Sequence, residues 1–209
     1  DHRDLHSFPT RRSSDLFMDY YPEFMKNAIV GAPWNKIYKC SLIEENNIFF
    51  PENLRNNEDT YFNYDAISCA KKISLVGNTY YNYVDNGTMS SSKKFINNIF
   101  DIYVGTYKKA IEFLKKTNTY EKNIAFQNEY FSNLVIGAVA GIVSTEKLTK
   151  KEKKSELKRI VSNDYVQCAV KDSNANRWKR CVIFLIKKQM HDLCIKKDKN
   201  TKIKNGIGF

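Results

Sequence analysis

In the second half of the chain apolar positions recur every three to four residues, which predicts helices over Phe95–Lys116, Ile124–Val143, Lys150–Ser162 and Arg177–Ile195. No strand signal interrupts them. The first half reads differently. Asp19–Asn27 suits a short helix, which Gly31, Ala32 and Pro33 end before the run Trp34-Asn35-Lys36-Ile37-Tyr38. Ser41 can cap a second short helix over Leu42–Glu45, and Ile48–Phe50, ahead of Pro51, reads as extended. After the polar loop Asn53–Asn57, Asn57 is placed as the N-cap of a helix. In it Phe62, Ala66 and Cys69 recur at helical spacing, and Glu58 and Asp59 occupy the first turn. Lys72–Val76 and Thr79–Val84 are β-branched or aromatic runs joined by Gly77-Asn78, which predicts two strands. Asp85–Ser92 is a loop of small polar residues. The pattern divides the chain into a mixed α/β piece, residues 17–92, and a helical extension, residues 93–209.

Length and composition bound this picture. With 209 residues, 42% of them hydrophobic, the chain can supply a globular core. The net charge of +11 changes meaning once it is located. Thr145–Phe209 holds 18 Lys and Arg against 7 Asp and Glu, leaving 16 of each sign before it, so the whole excess lies in the last third. The five cysteines are odd in number, widely spaced and form no CxxC pair, which points to a reducing cytoplasm and to neither a disulfide framework nor a zinc site. The longest apolar run, Leu134–Val143, is about half of the roughly 20 residues a membrane-spanning helix needs. Gly137 and Gly141 within it suit close helix packing in a soluble core.

The first sixteen residues stand apart. His6–Leu16 reads HSFPTRRSSDL, which resembles the conceptual translation of a short-read sequencing adapter. Residues 1–16 are therefore set aside as non-native, and the natural gene is expected to begin upstream. His2 and His6 leave with them, and His191 alone offers little for histidine chemistry or metal binding.

Within Pro33–Ser90, three landmarks occur in order: Trp34-Asn35-Lys36 with Tyr38, then Phe50-Pro51, then Glu58-Asp59 opening a helix. The run Tyr80-Tyr81-Asn82-Tyr83 and a Ser-containing loop follow. In wording and spacing this stretch resembles the acceptor-side half of family 2 glycosyltransferases, of the kind that builds capsular and other bacterial surface polysaccharides. The resemblance implies an α/β fold of the nucleotide-diphospho-sugar transferase type, GT-A, with a twisted, mainly parallel sheet between helices, here followed by a mainly helical extension. It also implies a nucleotide-sugar donor, a glycan or lipid-linked acceptor, and a divalent cation, Mg or Mn, held on the donor diphosphate by a DxD-type motif. No such motif follows Leu16, and Asp19 is an isolated carboxylate, so the donor and metal sites are expected to be missing from a truncated and inactive piece.

Inverting sugar transfer needs a carboxylate that takes the proton of the acceptor hydroxyl. The resemblance points to Asp59 as this base, with Glu58 a neighbour that orients the acceptor or the base. The start of a helix, with its unpaired N–H groups, keeps such a carboxylate ionised. Acidic residues in a first turn also serve helix stability alone. Trp34 can stack on a sugar ring while Asn35 and Lys36 bond hydroxyls or phosphate, although a buried Trp in a strand fits the same pattern. Tyr80, Tyr81 and Tyr83 alternate along a strand; Tyr81 faces away from the other two and joins the candidate substrate contacts. Val84-Asp85 stands where family members often carry a basic residue, and Lys93 and Lys94 are the substitutes, unless they simply begin a solvated helix.

In residues 177–197 an apolar stripe of Trp178, Cys181, Val182, Leu185, Ile186, Met190 and Leu193 is flanked by Lys and Arg. It suits an anionic membrane surface, with the protein cytoplasmic and peripheral, as well as an ordinary helix packed on a core. Without a zinc-finger or RNA-recognition signature, the charge does not argue for nucleic acid. The rival to the enzyme reading is a non-enzymatic membrane-surface or scaffold protein.

Overall fold

A computed structural model of the protein describes residues 17–54, 56–77, 81–82, 96 and 98–172. After a helical turn at 17–19, the chain forms α1 (Tyr21–Lys26), α2 (Cys40–Glu45), α3 (Glu58–Cys69), α4 (Ile99–Lys116), α5 (Tyr120–Ser144), α6 (Lys150–Val161) and α7 (Asp164–Asp172). Two compact units result. One takes residues 1–88 and 109–123, the other residues 89–108 and 124–209.

The α/β expectation is corrected here. Among the described residues every regular element is a helix and no sheet forms. Lys72–Val76, expected as a strand, is irregular, with Leu75 65% and Val76 67% exposed. β-propensity alone cannot hold a strand, because its N–H and C=O groups bond to a neighbouring strand and no such neighbour lies among the described residues. Of the second expected strand, only residues 81 and 82 are described, and they are not in one. Ile48–Phe50 is held by side-chain packing instead of a ladder: Ile48 is buried with Phe62 and Ala66, and Phe50 stacks on Phe62 at 4.2 Å. The expected GT-A-type sheet is therefore absent from the described chain.

Local chemistry explains the helix ends. Pro22 near the start of α1 brings a helical φ where its missing N–H costs nothing. α2 begins at Cys40, one residue before the expected cap Ser41; Lys39 precedes it and has no acceptor to offer, so no side chain caps this helix. Asn57 does precede α3, but in a left-handed conformation (φ 67°) that keeps its side chain from capping. Asp59 takes over part of that duty, its Oδ1 accepting from Thr60 N at 2.7 Å. Asn118, also left-handed (φ 54°), turns the chain between α4 and α5, where Thr119 N reaches Leu114 O at 2.9 Å. Thr149 and Glu152 form a reciprocal capping box on α6. Asn163 caps α7, accepting from Tyr165 N and Val166 N.

In the first unit the core is aromatic. Phe113 of α4 stacks on Tyr64 of α3 at 4.5 Å and lies 5.8 Å from Tyr21 of α1, and all three rings are buried. Two phenol groups inside a core each need a partner, and these find one another: Tyr21 Oη and Tyr64 Oη are 3.0 Å apart. Lys109 on α4 reaches both carboxylate oxygens of Asp65 on α3, at 2.7 and 2.8 Å. These contacts brace the helix that carries the candidate base.

The second unit is built on the same physics with a different set. Tyr107 stacks on Phe131 at 4.3 Å and donates to Asn128 Oδ1 at 2.5 Å, which satisfies two buried polar groups at once. Leu157 and Ile160 of α6 and Val166 and Ala169 of α7 are also buried. Arg159 holds Asp101 and Glu156 while covering the Phe100 ring.

Candidate functional site

Asp59 lies at the second position of α3, half-buried, beside the chain segment from Gly31 to Tyr38. That segment reaches the helix closely: a Cβ on Gly31 would meet Thr60 Oγ1 at 3.3 Å. Residues 36–39 are extended enough to alternate, with Lys36 and Tyr38 half-buried and Ile37 and Lys39 exposed. Lys36 and Tyr38 thus share one side, and that side faces the start of α3. Tyr38 donates its hydroxyl hydrogen to Asn63 Oδ1, and Asn63 Nδ2 donates to Gly31 O at 2.7 Å. On α3, Asp59 and Asn63 are one turn apart and share a face.

The electrostatics follow from this packing. Burial pushes the Lys36 ammonium down to about 8, against the opposing pull of the Asp59 carboxylate. Burial pushes the Tyr38 phenol up to about 12, and Asp59 adds to it by opposing a second negative charge. Lys36 Nζ donates to Ala32 O at 2.5 Å and to Asn35 Oδ1 at 2.7 Å. Asp59 Oδ1 also lies 3.4 Å from Thr60 Oγ1, while Oδ2 makes no hydrogen bond among the described residues. One carboxylate oxygen serves the helix and the other remains an acceptor. The arrangement can take a proton from a hydroxyl and balance the negative charge with the nearby ammonium.

Of the residues singled out in the sequence, Lys36 and Asp59 are brought together, with Glu58 next to Asp59 in the first turn. Trp34 and Tyr81 come together in a way not foreseen: their rings stack on each other, 5.2 Å apart and 23° from parallel. At 44% exposed, Trp34 is not the buried strand residue of the alternative reading, and Tyr81 is 50% exposed. Asn35 belongs to the loop's internal bonding through Lys36 and through Nδ2 toward Ala28 O at 3.4 Å. Asp19 pairs with Lys122 at 2.7 Å. Residues 1–16, Lys93, Lys94 and the stretch 177–197 lie outside the described residues.

Asn63 was not singled out from sequence. The available signal was a polar residue between Phe62 and Tyr64, on a helix whose neighbouring positions are apolar, one turn past Asp59. Among the described residues no three His, Cys, Asp or Glu side chains converge as a metal-binding group. No described helix is long and apolar enough to cross a membrane.

The chain is 27% identical over 105 residues to the protein named "Putative glycosyltransferase EpsH" of Bacillus subtilis (strain 168). The match covers 49% of this chain and 30% of that protein, so the chain spans under a third of its relative's length. No family profile and no solved structure matches the chain.

Proposed function

We propose that the protein is a glycosyltransferase of the family 2 type, moving a sugar with inversion from a nucleotide-sugar donor to a glycan or lipid-linked acceptor in the synthesis of a surface polysaccharide. The likeness to EpsH carries this reading. The grouping of Asp59 and Lys36 at one helix start supports it, because a general base needs an ionised carboxylate beside a place for a hydroxyl. Asp59 takes the acceptor proton through Oδ2, the oxygen the helix does not use. Glu58 orients the acceptor, and Trp34, Asn35, Lys36 and Tyr81 hold its sugar. A divalent cation on the donor diphosphate belongs to this reading. Residues 177–197 seat the protein on an anionic membrane surface at the cytoplasmic face.

The test is Asp59→Asn in the natural gene product, read as release of free nucleoside diphosphate from a panel of nucleotide sugars with a membrane extract as acceptor. The variant keeps its helical circular dichroism and loses at least about 100-fold in rate, the usual scale of general-base catalysis. Undiminished release from a folded variant removes Asp59 from the role of base.

A further inference from the structure

One amide side chain ties down both ends of the segment that carries the candidate sugar contacts. Asn63 is fully buried on α3. Its Oδ1 accepts from Tyr38, and its Nδ2 donates to Gly31 O at 2.7 Å. Gly31 and Tyr38 bracket Trp34, Asn35 and Lys36. The pair of bonds needs a side chain that accepts at one atom and donates from another, which the amide of Asn does. A carboxylate would lose the donor, and an aliphatic residue of similar size would lose both. Inside the bracket Lys36 holds Ala32 O and Asn35 Oδ1, so the segment is fixed from within as well as at its ends. Gly31 completes the fit by its close approach to Thr60.

We propose that Asn63 is a positioning residue: by clamping Gly31 and Tyr38 to the second turn of α3, it holds Trp34, Asn35 and Lys36 in the arrangement that binds the acceptor sugar. The inference rests on the reading of this segment and Asp59 as the acceptor site. Asn63 acts through the loop and touches neither substrate nor reacting atoms. Its effect therefore falls on acceptor KM and on the surroundings of Trp34.

Two readouts test it. In the full chain with Trp178→Phe, Trp34 is the sole indole. Tyr38→Phe, which cuts one arm of the clamp and leaves Asn63 bonded to Gly31, raises acrylamide quenching of Trp34, as does Asn63→Asp. The ring is 44% exposed at the start, so the rise is at most about twofold as the loop opens locally. In the natural gene product the same changes raise acceptor KM by about tenfold, the equivalent of one buried hydrogen bond, and leave kcat and donor KM nearly unchanged. If Asn63→Asp fails to fold, Tyr38→Phe decides. Unchanged quenching in folded Tyr38→Phe overturns the clamp, as does a loss confined to kcat. A rise in quenching together with full transfer by Asp59→Asn keeps the clamp and removes Asp59 as base, so the two failures are distinguishable.

Discussion

Lys36→Met is the most direct probe of the charge balance around Asp59. The fall of the Lys36 ammonium from 10.5 to about 8 means that the folded protein holds this proton less tightly than the unfolded chain does. Between those values the unfolded state binds more protons, so stability rises with pH, and the contribution is lost as pH falls through about 8. Taken whole, the shift corresponds to about 3 kcal/mol, at about 1.4 kcal/mol per pH unit. Lys36 is only half-buried, and solvent screening reduces this to about 1–2 kcal/mol. Most of it develops below the unfolded value. The wild-type protein therefore gains about 1 kcal/mol on Lys36→Met between about pH 7 and about pH 9.5. Met keeps the length of the stem and removes the charge, so the difference isolates the ammonium. Urea unfolding followed by Trp34 fluorescence, in the Trp178→Phe background, reads this as a divergence in midpoint of about 0.5–1 M. The range must stop short of Tyr38. Its phenol is raised to about 12, so its contribution is fully present below about 10 and is lost as pH climbs through about 12. Midpoints that run parallel from pH 7 to 9.5, or a wild type that loses ground as pH rises, refute the claim that burial governs Lys36.

Two further outcomes test the packing. Phe113→Ala empties the space between Tyr64 and Tyr21 and costs about 3–5 kcal/mol, read in the unfolding midpoint of the first unit; a loss below about 1 kcal/mol means the aromatic cluster is not its core. Thr149→Ala removes the hydroxyl that accepts from Glu152 N, leaves the bond from Thr149 N to the Glu152 carboxylate, and costs about 1 kcal/mol, visible as faster amide exchange at Glu152; unaltered exchange there contradicts the cap.

α4 to α6 were legible because their apolar spacing is long and regular, and they fall within a few residues of the ranges expected from the pattern; the expected helix Arg177–Ile195 lies outside the described residues. Element type failed where only composition spoke. Lys72–Val76 carries β-forming residues, but whether it pairs depends on a neighbour far away in sequence, which no local run encodes. Capping was half legible. Asn57 stands in the right place, yet its backbone turns left-handed, and Asp59 bonds the helix start in its stead. At the site, the landmarks pointed to Asp59 and Lys36, whereas Asn63 stayed hidden among apolar neighbours, since a buried amide is visible only when its two partners are in place. α7 was not expected from the pattern; its start is marked by Asn163, whose Oδ1 accepts from Tyr165 N and Val166 N.

Ile37 lies between two inward-facing residues and is wholly in solvent. It gains nothing from leaving water, so its worth to the protein is entropic. A branched Cβ narrows the backbone choices of the unfolded chain toward extended conformations, the ones in which Lys36 and Tyr38 point the same way. The search that brings Tyr38 to Asn63 is shortened before any contact forms. At this position Gly is therefore the costly replacement, while Val or Thr, no better buried, keeps the loop's head start.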